Sequence, residues 1–425
     1  MEITILMSLG VAMLVGLLMS RLAKKLQLPA VTAYLVTGVL IGPYCLGRLG
    51  VDGLGFVSME QTEGLGIVCD VALGFIAFAI GNEFRLSQLK STGKAATVIG
   101  IIQALVATLL VDLALIGFHF IMPDVLSLPA AITLGAVAAA TAPATTLMVV
   151  RQYKAKGPLT DILLPIVALD DAVGLIIFSV SLGVAMALQT GHADVVSIIA
   201  EPIIEVVLSL ILGSVMSLLL TFFERFFHSR SKRLSLAVCF VLLTVAVSML
   251  HFEIGPVAVS FSPLLSCMML GTVFCNLCDF SQELMDRCDR WTAPLFILFF
   301  VISGAELELS VFGSGTIVAI GVVYIIARSL GKYVGSFASA KAMKCESGIV
   351  KYLGVTLLPQ AGVALGMSTL AMQNLGVEDG GLVRNIILFS VLIYELVGPL
   401  TTKIALSAAG EISKESKSSS RGVRV

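Results

Sequence analysis

Two adjacent carboxylates, Asp170 and Asp171, stand in the middle of an otherwise apolar run from Leu159 to Leu188. An ionised side chain at the centre of a hydrocarbon layer costs roughly 2.5–3.5 kcal/mol on insertion scales. Two unit charges a few ångströms apart add about 1–4 kcal/mol of repulsion even in a high effective dielectric. A fixed counter-charge, a bound proton or a bound cation can offset that cost. Neighbouring residues on a helix point about 100° apart, so the two aspartates cannot share one environment. One can meet a counter-charge while the other lines a water-filled funnel. A lone structural ion pair would account for only one of them. The chemistry within reach is reversible binding of protons and small cations to carboxylate oxygens.

A counter-charge is available in the run Ile325 to Gly335, where Arg328 and Lys332 are four residues apart and share a helix face. Arginine stays charged and suits a permanent counter-ion, whereas a buried lysine can give up its proton. Lys332 lies nearer the inner end of its run, where snorkelling is the alternative reading. Gly331 and Gly335 flank it and would let another helix approach.

Prolines break two further apolar runs, in Thr141-Ala142-Pro143-Ala144-Thr145-Thr146 and in Leu358-Pro359-Gln360-Ala361-Gly362. Proline removes a backbone donor and clashes with the preceding turn, and threonine or glutamine can serve the freed groups. Ordinary proline kinks are the alternative. Thr141, Pro143, Thr145, Pro359 and Gln360 are therefore expected to line a site between unwound helices. Glu395, inside the last apolar run, reads either as a structural hydrogen-bonder or as a pathway residue. Asp70 and Asp112 fall toward the outer ends of their runs and read either as funnel-lining or as solvated, and Glu83 and Glu306 read as helix-end packing or interface residues. His119, His192, His228 and His251 all fall near run ends and none is placed like a catalytic residue. Cys275 and Cys278 have zinc-like spacing but no second pair, so they read as small residues at a helix end.

The elements that must position these residues follow from composition. Hydrophobic residues make up 57% and charged residues 13% of the 425 residues, against about 25% charged in soluble domains. The fold class expected is an all-α polytopic membrane protein. The net charge of −1 says nothing about nucleic acid, but no basic stripe or aromatic-basic interleaving appears, so nucleic acid is not an expected partner. No Walker loop or nucleophile triad is present, so an enzyme is not expected. The first run ends in Arg21, Lys24 and Lys25 without a small-residue cleavage site and reads as a retained span.

Apolar stretches give about thirteen spans, with cores at 3–20, 29–43, 64–82, 94–118, 128–150, 159–188, 198–223, 234–250, 255–275, 291–305, 315–339, 350–373 and 384–406. Of the 27 lysines and arginines, all but Arg48, Arg384, Arg328 and Lys332 fall in alternate loops or the C-terminal tail. That bias expects the N-terminus outside and the C-terminus in the cytoplasm. The third and tenth spans end alike, with Gly81 and Gly304, Glu83 and Glu306, Leu86 and Leu309, and Ser87 and Ser310 at a constant offset of 223. Six helices, a linking helix and six inverted helices are the plan this implies, with the two broken helices crossing at mid-membrane.

In these features the chain resembles the monovalent cation:proton antiporter superfamily, over essentially residues 1–406. The resemblance rests on Leu28-Pro29-Ala30-Val31-Thr32-Ala33-Tyr34-Leu35-Val36-Thr37-Gly38, the glycine-glutamate ends, the Thr141–Thr146 break, Asp170-Asp171 and Gly331-Lys332. It implies the sodium/hydrogen exchanger fold and the paired-aspartate, electrogenic branch. It further implies that Asp171 binds Na+ (or Li+) in exchange for H+, and that Asp170 bridges to Lys332, with Arg328 the rival partner. An elevator-type movement and a homodimer in the plasma (inner) membrane are also implied. Dimerisation or scaffold parts would be 1–90 and 230–310, core ion-transport parts 91–190 and 311–406, a linking helix 196–227, and a disordered cytoplasmic tail 407–425. No cofactor is expected beyond the transported ions. A K+/H+ antiporter is the alternative within transport, and a channel or sensor subunit without proton coupling the alternative outside it.

Overall fold

The computed structural model describes residues 2–412 apart from 27, 52, 83–85, 191–194, 251, 255–256, 260, 279, 308 and 310–312. In chain order the helices are α1 (Glu2–Lys25), α2 (Ala30–Ile41), α3 (Met59–Glu63), α4 (Gly66–Asn82), α5 (Leu86–Ile121), α6 (Leu128–Val137), α7 (Pro143–Gln152) and α8 (Pro158–Thr190). They continue with α9 (Val195–Glu224), α10 (Arg230–Ser248), α11 (Pro263–Leu277), α12 (Ser281–Ala305), α13 (Gly315–Ala342), α14 (Ser347–Thr356) and α15 (Gly362–Ala408). Among the described residues, nine helices are long and apolar enough to cross a membrane, and four shorter apolar helices accompany them. The chain is an all-α polytopic membrane protein of two inverted six-helix repeats joined by α9.

Two of the spans are broken, each at its proline. The fifth becomes α6 and α7, separated by non-helical residues 138–142. Pro143 opens α7, where its missing N–H costs nothing. The twelfth becomes α14 and the first arm of α15, separated by 357–361 with Pro359 inside the break. α15 then bends at Gly376, whose φ of 80° is open to glycine at little cost, and its second arm (Asn374–Ala408) is the last span.

Three expectations need correction. The ninth span begins at Pro263 rather than 255, because a short antiparallel hairpin, β1 (Phe252–Ile254) and β2 (Val257–Val259), precedes it. Ser262 caps the helix that follows by accepting from the N–H of Leu265. The tenth span is longer than 291–305: α12 starts at Ser281, and its first turns carry charged residues that hydropathy alone rejects. A disordered tail was expected from 407, but residues 407–412 are described, and Glu411 and Ile412 are buried.

The chain divides into two compact units. The first comprises Met1–Ser91 and Ile203–Leu307. Its helices touch through glycines: Gly38 on α2 lies against the backbone of Val301 and Ala305 on α12, and Gly304 on α12 lies against Leu35 on α2. Gly81 on α4 meets Met268 on α11, and Gly271 on α11 meets Phe78 and Asn82 on α4. The inverted repeats thus make the same small-residue crossing twice, as close packing in a bilayer favours.

The second unit comprises Thr92–Pro202 and Glu308–Val425. An apolar core of Ile99, Val149, Leu163, Ile166, Leu353, Leu406 and Ile412 holds α5, α7, α8, α14 and the end of α15 together. Gly331 and Gly335 let α13 approach Ala107 and Gln103 on α5. That approach sets Lys332 between the helices that flank the breaks.

Candidate functional site

The two breaks meet inside the second unit. The N–H of Ala142 donates to the carbonyl of Pro359 at 2.9 Å, so the two unwound segments join backbone to backbone. Gln360 extends the join: its Nε2 donates to the carbonyl of Val137 at 3.0 Å and to the Tyr324 hydroxyl at 2.9 Å. Breaking a helix leaves carbonyls at its C-terminal end without partners. Arg328 supplies them. Its Nε donates to Ala138 O at 3.1 Å, Nη2 to Ala140 O at 2.6 Å and Nη1 to Leu358 O at 2.7 Å. The guanidinium is fully buried and also lies over the Tyr394 ring, 4.6 Å from its centroid. A cation at a helix C-terminus opposes the half-negative end of the dipole, and one planar fork serves α6 and α14 at once.

Lys332, one turn along α13, faces the aspartate pair. Its Nζ donates to Asp170 Oδ2 at 3.1 Å, Thr141 Oγ1 at 2.9 Å and Ala139 O at 2.6 Å. Three acceptors match the three protons of an ammonium. Thr141 bridges the pair, accepting from Lys332 and donating to Asp170 Oδ2 at 2.5 Å. Gln103 on α5 donates its amide to the other oxygen, Asp170 Oδ1. Arg328 makes no contact of this kind with Asp170; it holds carbonyls, and Lys332 is the ion-pair partner.

Asp171 differs from its neighbour. It is buried, 6% exposed, and neither carboxylate oxygen has a hydrogen-bond partner. One turn further on, Gly174 lies 3.8 Å from Ala140 in the first break and 3.7 Å from Met367 in the first arm of α15, measured to a Cβ built on the glycine. A buried unpaired carboxylate is among the costliest groups a fold can hold. Carboxylate oxygens are hard ligands suited to alkali cations and protons. Among the described residues no group of three or more His, Cys, Asp or Glu could hold a tighter-binding metal.

The other candidates are dispersed. Pro143 starts α7, and Thr145 is buried in its first turn. Glu395 is buried beside Tyr394, whose hydroxyl bonds Ile325 O and Ser329. Asp112 on α5 sits over Gly135 of α6, and its Oδ1 has no partner. Asp70 is half-buried on α4, and Glu306 caps the end of α12. His119 bonds Leu126 O at 2.7 Å and His228 is exposed. Glu83, His192 and His251 lie outside the described residues. Cys275 and Cys278 are buried and neither is in a disulfide. Sequence reasoning missed Gln103, Tyr324 and Tyr394. A lone glutamine in the apolar run 94–118 was the available signal for the first.

The comparisons agree with this architecture. The family described as sodium/hydrogen exchanger, transmembrane, matches residues 10–408. The chain is 27% identical over 351 residues to Na(+)/H(+) antiporter 1 of Methanocaldococcus jannaschii, covering 79% of this chain and 77% of that protein. It is 25% identical over 408 residues to the K(+)/H(+) antiporter subunit KhtU of Bacillus subtilis, covering 93% and 92%. A solved structure of the sodium proton antiporter MjNhaP1 from M. jannaschii is similar with a TM-score of 0.72 at 17% identity, covering 96% of each chain. The chain belongs to the sodium/hydrogen exchanger family.

Proposed function

We propose that this protein exchanges a monovalent cation for protons across the plasma (inner) membrane, with Asp171 as the carboxylate for which the two ions compete. The observation that carries the reading is the pairing pattern in the crossing. Arg328 is matched by three carbonyls and Lys332 by Asp170, Thr141 and a carbonyl, while neither buried oxygen of Asp171 has a hydrogen-bond partner. A proton or a cation on Asp171 removes that unpaired charge, and either ion excludes the other. Carrying the neutralised site through hydrocarbon then avoids most of the Born cost of a bare charge.

Na+ (or Li+) is the cation in the favoured reading, and the name of the M. jannaschii relative supports it. K+ is the second reading, supported by the similarity to KhtU over 93% of the chain. The two adjacent acids support membership of the paired-aspartate branch and an electrogenic exchange. When the cation displaces Lys332 from Asp170, the lysine releases a proton, and Asp171 releases another. Every residue of the crossing lies within the second unit. That supports an elevator in which this unit carries its whole site while the first unit anchors a homodimer. The excess of basic residues in alternate loops supports a cytoplasmic C-terminus.

The test is dissipation of an imposed pH gradient in proteoliposomes by Na+, Li+ and K+, wild type beside Asp171→Asn. Competition requires the cation concentration for half-maximal rate to rise as pH falls, because protons then occupy more of the site. A half-maximal concentration independent of pH would contradict shared binding, and equal rates at any membrane voltage would contradict electrogenic exchange.

A further inference from the structure

The helix that carries the aspartates is capped by a residue from the far end of the chain. The first turn of a helix leaves backbone N–H groups that its own carbonyls cannot accept. In α8 the accounting is short. Pro158 has no N–H, and that of Asp161 donates to Gly157 O at 2.9 Å, so Leu159 and Thr160 are left. Glu411, 252 residues after Leu159, takes both: Oε1 accepts from Leu159 N–H at 2.6 Å and Oε2 from Thr160 N–H at 2.8 Å. The Thr160 hydroxyl donates to the same Oε2 at 2.6 Å, and the N–H of Lys156 donates to the Glu411 carbonyl at 3.1 Å. Glu411 is only 9% exposed. Gly157 makes room for it: φ there is 156°, and a Cβ would lie 2.6 Å from the Glu411 carboxylate. Ile412, the next residue, is buried in the apolar core that also takes Leu163 and Ile166 of α8.

Pro165 makes this cap more consequential. It cannot donate to the carbonyl of Asp161, so the first turn is tied to the rest of α8 by one backbone bond fewer. We infer that Glu411 is a positioning residue for transport: its carboxylate seats the first turn of α8 and offsets the positive end of the helix dipole, and so sets where Asp171 stands. Asp171 lies about 18 Å further along, at 1.5 Å per residue. The inference rests on the antiport reading for its functional half only.

The full-length protein carrying Glu411→Ala tests it with two readouts. Hydrogen–deuterium exchange at the amides of Leu159 and Thr160 should become at least tenfold faster than in wild type. In proteoliposomes, the concentration of the alkali cation that drives the wild type should rise at least threefold at half-maximal rate, whereas a merely destabilised protein would lose maximal rate alone. Glu411→Gln keeps the volume and one acceptor and should give a smaller change of both. It decides the matter if the alanine variant does not fold. Unchanged amide exchange in a folded variant would overturn the cap, and faster exchange with unaltered cation dependence would overturn the positioning role. A wild type that exchanges no alkali cation for protons would instead overturn the antiport reading and leave the amide test standing.

Discussion

At the scale of single residues, the two basic side chains of α13 do different work although they are one turn apart. Arg328 is bound to three carbonyls of the broken helices, and Lys332 to Asp170 and its bridging threonine. Lys332→Ala leaves Asp170 buried with only neutral donors, Thr141 and Gln103. Breaking a buried pair on one side costs about 3–5 kcal/mol, which thermal and denaturant unfolding in detergent would register. Arg328→Lys keeps the charge but not the fork, so at least one carbonyl loses its donor, at about 1–3 kcal/mol. The same unfolding measurement should rank this substitution as the milder. Charged residues inside apolar runs were legible in the sequence because hydrocarbon makes them expensive. Gln103 was legible only as a lone polar residue in an apolar run, because a neutral amide costs less than a charge and nothing in its neighbourhood pointed to Asp170. Glu411 was also missed, since it stands at the head of a Ser/Lys-rich tail whose composition suggests solvation rather than burial.

At the scale of elements, proline placement and glycine crossings account for most of the architecture. The breaks at 138–142 and 357–361 could be read from Pro143 and Pro359, but their mutual hydrogen bond and the service of Gln360 could not, because they join segments about 220 residues apart. The hairpin before α11 was hidden by an apolar composition that a helix and a strand share. The glycine crossings give a sharp contrast. Gly38→Ala and Gly271→Ala put a methyl group into the backbone of a neighbouring helix and should destabilise the protein by about 1–3 kcal/mol or more. Gly174→Ala, although close to the aspartates, meets atoms only at 3.7 and 3.8 Å. It should be neutral or raise stability by about 0.5–1 kcal/mol through the lower helix cost of alanine. Comparable losses at all three positions would contradict the packing described for the first unit.

For the whole molecule, an offset of 223 residues between Gly81 and Gly304 anticipated repeats that place equivalent glycines in equivalent crossings. Glycines pack helices in both units, and the two broken helices and the aspartates lie wholly inside the second. The central claim is that Asp171, whose two buried oxygens have no hydrogen-bond partner, is where cation and proton compete. It is tested most directly by dissipation of a pH gradient in proteoliposomes containing Asp171→Asn, with Na+, Li+ and K+ offered in turn. The account predicts a folded protein, at least as stable as wild type because a buried charge has been removed, with cation-driven proton release reduced at least a hundredfold for every cation. Exchange at the wild-type rate by this variant would contradict it.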